Sequence, residues 1–257
     1  MKAFAPLLAA LLLAAPAMAQ TVPLSSAPRA SAPLQAEPEL PASDLLLRYQ
    51  SPALSFRWSL APEAALEPSF VREMRSEALA DRTREIRQAD EAYAKTPPAD
   101  RRMPYEWQER WTAEAETDLL LALSTRQYSF TGGAHGNLLL RAALWDRGAG
   151  RRISFAEMFA DPKAMMAALT PVYCKALDAE RAERRGGVKL GGDYEKCPDP
   201  AAYPIVPVGE GQITGIRVLV PPYEAGPWAE GVYEITLDAG LVKPFLLPRY
   251  APAFTKP

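Results

Sequence analysis

Leu119-Leu120-Leu121-Ala122-Leu123-Ser124-Thr125-Arg126-Gln127-Tyr128-Ser129-Phe130, then Thr131-Gly132-Gly133-Ala134-His135-Gly136-Asn137, then Leu138-Leu139-Leu140-Arg141-Ala142-Ala143-Leu144-Trp145: this stretch decides how the chain folds. Two apolar runs flank a turn that carries adjacent glycines, and the second run is bounded by Asp146-Arg147-Gly148. Tyr128 and Phe130 alternate across Ser129, the period of a strand rather than a helix. Paired glycines between such runs are a strong turn signal. Residues 112–146 therefore read as long antiparallel strands folded over Gly132-Gly133.

Upstream, Tyr105, Trp107 and Trp111 fit a strand by alternation and a helix by their i,i+4 spacing. The strand-like runs that follow favour a strand. Leu54, Phe56, Trp58 and Leu60 alternate with Ser55, Arg57 and Ser59, a half-buried strand. Between these two segments Phe70, Met74, Ala78, Ile86, Ala89 and Tyr93 fall near helical spacing. An amphipathic helix is predicted over 63–95, stopped by Pro97-Pro98.

Downstream, Ser154-Phe155-Ala156-Glu157 has capping-box spacing. Asp161-Pro162 offers an N-cap followed by proline at the first helical position. Met166, Leu169, Tyr173 and Leu177 mark the buried stripe of that helix, Pro171 should kink it, and Gly186-Gly187 should end it. Ile216, Val218 and Val220, then Tyr233, Ile235 and Leu237, give two more alternating strands. A stiff arch, Pro221-Pro222-Tyr223-Glu224-Ala225-Gly226-Pro227-Trp228, joins them, and Asp238 caps a last short helix bearing Leu241 and Phe245. Helices and strands come in blocks, which predicts an α+β fold. It is expected as antiparallel sheets with packed helices, one compact domain over 44–250 with sub-regions 44–147 and 148–250.

Residues 1–19 have the form of a secretory signal: a positive Met1-Lys2 start, an Ala/Leu run from Ala5 to Ala15, and Ala17-Met18-Ala19 before Gln20. The run is too short for the ~20 residues that cross a bilayer. Residues 20–43, with Pro23, Pro28, Pro33, Pro38 and Pro41 and no aromatic ring, read as a disordered tether. A periplasmic or secreted location is expected, with no membrane span once the signal is cleaved. Removing residues 1–19 takes away Lys2 and no acid, so the net charge moves from −2 to about −3. That balance lacks the basic face a nucleic-acid partner requires. An isolated cysteine pair in an oxidising compartment favours a Cys174–Cys197 disulfide, which would stabilise the fold by roughly 3 kcal/mol.

His135 is the one histidine. A zinc site with two or three imidazoles is therefore excluded within one chain, and no metal or other cofactor is expected. A serine triad would have to run through His135, with Ser124, Ser129 and Asp146 near it in sequence, yet no GxSxG elbow is present. A hydrolase using a carboxylate pair has no sequence signature to support it. No catalytic residue is assigned. His135 can serve as a ligand contact or general base, or it can brace the turn through backbone hydrogen bonds. Gly132 and Gly133 are read as structural, needed for φ > 0 or for close approach of the chain, because the turn leads into a strand and not into the helix N-terminus of a phosphate cradle. Tyr223, Pro227 and Trp228 are candidates for a binding surface, since a proline-stiffened aromatic arch loses little entropy on docking. Alternatively, Tyr223 and Trp228 plug the end of the sheet.

The segment Tyr128-Ser-Phe-Thr-Gly-Gly-Ala-His-Gly136 resembles a motif of an exported bacterial family of unknown function. That family is shared with the RsiV-type lysozyme-sensing anti-sigma factors and the N-terminal region of PdaC-type peptidoglycan deacetylases. Ile153 to Phe159 matches its segment leading into a helix, and Tyr223, Pro227, Gly231 and Tyr233 fill its closing half. The resemblance runs over about Asp44 to Leu247. It implies an α+β domain without catalysis of its own and, in the sensor branch, a surface that docks lysozyme. The expectation is a cell-envelope binding or sensing module whose partner is a lysozyme-like protein or a peptidoglycan fragment. The alternatives are a hydrolase of envelope glycans or esters working through His135 or a carboxylate pair, and a structural envelope protein.

Overall fold

The Gly132-Gly133 turn closes a hairpin between strands β4 (Leu120–Phe130) and β5 (Asn137–Asp146), paired from Leu120↔Asp146 to Ser129↔Asn137. Both glycines hold φ near +100°, a conformation that a side chain would oppose. The computed structural model describes residues 44–254 apart from Arg102. The signal and tether segments read from the sequence lie outside the described residues, which all fall within one compact unit.

Before this hairpin come β1 (Leu46–Gln50), β2 (Leu54–Ser59), helix α1 (Pro68–Lys95) and β3 (Tyr105–Glu116). After it come β6 (Arg151–Ile153), helix α2 (Pro162–Arg184), and β7 (Ile205–Glu210), β8 (Gly215–Val220) and β9 (Tyr233–Asp238). They form one sheet in the order β6-β5-β4-β3-β7-β8-β9, with β1 and β2 attached beside β3. The β1–β2, β3-β4-β5-β6 and β7-β8-β9 neighbours are antiparallel, as the sequence suggests. The sheet is nonetheless mixed, because two of its joints are parallel. β2 lies along Tyr105–Arg110 of β3, and β7 meets only its Ala115–Glu116 end. The β2–β3 joint needs a crossover, and α1 supplies it. One edge of β3 thus serves two partners end to end, and a register shift between Ala113 and Ala115 marks the fork.

Alternate residues of β4 face opposite sides, so the hairpin is a wall shared by two cores. Leu121 and Leu123 pack with Phe70, Met74 and Ala78 of α1. On that side Phe56 stacks on Trp107 at 4.3 Å and Phe70 on Trp145 at 5.2 Å. Burying a side chain such as Phe56 contributes roughly 2–3 kcal/mol. Leu120 and Ala122 pack with α2 and with β7, β8 and β9.

The helix signals are seated where the chemistry requires, with shifts at the ends. α1 begins at Pro68, and residues 62–66 form a 3-10 turn instead of its first turn. Glu67 does not cap α1 through its side chain; its carboxylate takes Trp145 Nε1 and Arg147 Nε, each at 2.8 Å. Ser154 and Glu157 form the capping box, and Asp161 accepts the Ala164 N–H at 3.0 Å. Pro171 stands inside α2 without ending it. On the buried stripe Met165 takes the place expected for Met166, which is only partly covered. Gly186 and Gly187 have φ of +58° and +82°, and Gly187 N–H reaches Ala182 O at 2.8 Å, a Schellman closure. The short helix after Asp238 is two 3-10 turns, Ala239–Leu241 and Lys243–Phe245. Cys174 and Cys197 are joined in a disulfide, with Cα atoms 5.5 Å apart.

Candidate recognition site

The arch between β8 and β9 starts at two prolines, of which Pro222 is buried. Tyr223 then turns outward with φ +74°, the one non-glycine residue in that region among those described. Its N–H donates to Gly226 O at 2.8 Å, which fixes the bend. Half-buried Pro227 leads into a 3-10 turn, Trp228–Glu230. Tyr223 is 52% exposed, so its ring does not plug the sheet.

Three arginines at the end of α2 hold the arch. Arg181 is 3% exposed; it donates to Ala225 O from Nε and to Lys196 O from Nη2, each at 2.9 Å. Arg185 grips both oxygens of Glu230 at 2.9 Å and also donates to Ala225 O at 3.0 Å. Arg184 donates to the carbonyls of Glu230 and Val232 and lies over the Tyr233 ring. The Arg185 hydrogen bonds, working against burial, hold the Glu230 carboxyl below its usual range. The disulfide ties the same region to α2, because Cys174 lies in that helix and Lys196 directly precedes Cys197.

Across from the arch stands the β4–β5 turn. A Cβ on Gly136 would lie 2.3 Å from Cε2 of Tyr128, so the ring occupies the space that glycine leaves free. Next to it, His135 Nδ1 is 2.8 Å from Gly136 O. A carbonyl can only accept, so Nδ1 carries the proton; in the neutral ring Nε2 is then the acceptor. The Tyr223 hydroxyl sits 3.1 Å from Nε2 and donates to it. The imidazole also stacks on Trp228, 4.2 Å between centroids and 14° from parallel. The fold thus brings His135, Tyr223 and Trp228 into one ring cluster, with Pro227 beside it and Gly132 and Gly133 exposed on the outer turn.

Of the side chains named for a serine triad, Ser129 lies opposite Asn137 at the His135 end of the hairpin, while Ser124 and Asp146 lie farther along it. Ser124 Oγ donates to Glu114 at 2.5 Å, and Asp146 accepts from Tyr250 OH at 2.7 Å. Asp146 lies at the other end of β5 from Asn137, roughly 30 Å away at the rise of an extended strand. Glu109 is a further acid of note. Burial pushes its carboxyl up to about 7 against the attraction of Arg141, with which it is paired, but it is only 4% exposed. Among the described residues no group of three or more His, Cys, Asp or Glu could hold a metal ion, and no helix is long and apolar enough to cross a membrane.

Sequence reasoning missed Arg181, Arg185 and Glu230. A signal for the first was present: Met165, Leu169, Tyr173, Leu177 and Arg181 form an unbroken i,i+4 series, so a charged residue continues the buried stripe.

Residues 59–138 match the family model described as deacetylase PdaC. The match runs from the end of β2 into the start of β5 and includes the Thr131–Gly136 turn, but not the arch. No protein of curated function matches the sequence. Solved crystal structures are among the matches. One is a DUF3298 family protein from Pseudomonas aeruginosa PAO1, at 14% identity and a TM-score of 0.50, over 79% of this chain and 87% of that one. Another is a DUF3298 family member from Bacteroides fragilis NCTC 9343, at 16% identity and a TM-score of 0.46, over 80% and 92%.

Proposed function

We propose that the chain, which matches the deacetylase PdaC family model over residues 59–138 and shares the fold of a DUF3298 family protein, is an exported cell-envelope module that binds or senses rather than catalyses. It recognises a ligand through the His135–Tyr223–Trp228 cluster. The observation that carries this reading is the convergence of three rings from two distant segments, at an end where His135 and Tyr223 are both exposed. Tyr and Trp on a braced loop lose little freedom on docking and are enriched among interface hot spots. No carboxylate hydrogen-bonds to His135 among the described residues; Gly136 O takes Nδ1 and the Tyr223 hydroxyl takes Nε2, so both ring nitrogens are engaged within the cluster, which supports recognition over base catalysis. The signal-like residues 1–19 and the disulfide support export to a periplasmic or extracellular place.

The partner class follows the family resemblance: a lysozyme-like protein or a peptidoglycan fragment. Surface plasmon resonance of the mature protein against lysozyme, and against soluble peptidoglycan fragments, tests it. Binding to one of the two should weaken about tenfold or more in Trp228→Ala. Absence of binding to both, or binding indifferent to Trp228→Ala, would overturn the reading.

A further inference from the structure

A second concave site lies beside the ring cluster, beyond the outer turn of the hairpin and against the end of α1. It encloses about 490 Å3, the size of a small-molecule pocket. Three alanines, Ala53, Ala89 and Ala92, contribute to its lining, and two of them are buried. Their small side chains make the hollow. Gly132 and Gly133 line it too, and nothing stands within 4 Å of where a Cβ would be at either. The turn therefore leaves space at the wall where any other residue would project a side chain.

The chemistry of the remaining lining names a ligand class. Tyr93, Tyr105 and Phe130 supply flat apolar surface, and Met103 is 68% exposed, an adaptable thioether at the edge of an apolar hollow. Arg101 is the cation of the site. Its guanidinium carbon sits 4.2 Å from the Tyr93 ring centroid, and its Nε donates to Thr96 O at 2.9 Å. Those two contacts fix the plane of the guanidinium. Among the described residues its terminal nitrogens have no hydrogen-bond partner, so a planar two-point donor is left for an anion.

We propose that this hollow binds a small amphipathic acid, a flat apolar group bearing a carboxylate or sulfonate. The apolar group lies between the alanines and the aromatic walls, and the acid meets Arg101. The site goes beyond the ring cluster and does not depend on it.

Two fluorescent probes test the proposal on the mature protein: anilinonaphthalene sulfonate, which is anionic, and N-phenylnaphthylamine, which is neutral. The expected result is one molecule of the anionic dye per chain. Arg101→Gln should weaken that dye about tenfold and leave the neutral dye unchanged, the size expected for one charge-assisted contact. Ala92→Trp should abolish binding of both by filling the hollow. Thr131→Trp, at an exposed position on the wall, should do the same without touching the core. Trp228→Ala should leave both dyes bound, which separates this site from the ring cluster. Dye binding that survives both tryptophan variants, or an Arg101→Gln effect equal on the two dyes or absent from both, would overturn the proposal. A neutral dye that binds more tightly than the anionic one to the parent would do so as well.

Discussion

The phenol of Tyr223 donates to Nε2 of His135 at 3.1 Å, linking two segments 88 residues apart. Because Gly136 O occupies Nδ1, this bond fixes the neutral imidazole in its Nδ1–H tautomer. As His135 is the one histidine in the chain, nitrogen NMR reads it without assignment. The spectrum of the neutral ring should show the Nδ1–H form. Tyr223→Phe, which keeps the ring and removes the donor, should shift the Nε2 resonance while the melting temperature moves by no more than about 2 °C. A parent spectrum dominated by the Nε2–H form would contradict the geometry.

Arg185 and Glu230 form a two-point pair at 2.9 Å, with side chains 5% and 15% exposed. Truncating one partner strands the other, so Arg185→Ala should cost about 3 kcal/mol in urea unfolding. An ammonium cannot span both carboxylate oxygens and Ala225 O at once, so Arg185→Lys should recover less than half of that loss. Full recovery with lysine would show that charge alone, not the planar fork, holds the arch.

Glu109 gives the pH dependence a sign. Its folded carboxyl titrates near 7, against an ordinary 4.5, because burial outweighs the pull of Arg141. Between those values the folded state keeps a proton that the unfolded chain releases. The stability from this group is thus full below about pH 4.5 and is lost as pH rises to about 7, by up to about 3 kcal/mol. Glu109→Gln should flatten this fall and unfold at higher urea than the parent at pH 8. Parallel pH profiles for the two proteins would exclude the assignment.

Gly136→Ala should displace the Tyr128 ring, since the new methyl would fall 2.3 Å from it. We expect a loss of about 1–3 kcal/mol, typical of overpacking, with most of it recovered when Tyr128→Ala is added. Without that recovery, the glycine would be needed for its backbone and not for the ring.

What the sequence made legible is what short-range chemistry decides. The Ser154–Glu157 capping box, the Asp161 cap, the Gly186-Gly187 closure and the hairpin over Gly132-Gly133 each depend on residues a few positions apart. The Cys174–Cys197 disulfide followed from the two cysteines and an oxidising setting. The fork at β3 was hidden, because alternation says which side a residue faces and nothing about which strand lies beside it. The candidate site was half legible for a related reason. His135, Tyr223 and Trp228 could each be singled out, but their meeting depends on how far the sheet curls. Salt bridges from Arg126 to Glu234 and from Arg217 to Glu114 show that the curl brings β9 towards β4 and β8 towards β3. Nor did local patterning suggest that the hollow beside the same turn would be floored by alanines of α1.

The extra residue at the fork gives β3 the effect of a half-twist in a belt. Ala113 looks towards α1 and Ala115 towards α2, with Glu114 between them tied to Ser124 and Arg217. A strictly pleated strand would present the same side to both ends, and one of the two layers would lose its seat. Shortening the chain by that single residue would therefore turn the Ala115–Glu116 tip over and unhook β7, β8 and β9 together, along with the arch that hangs from them.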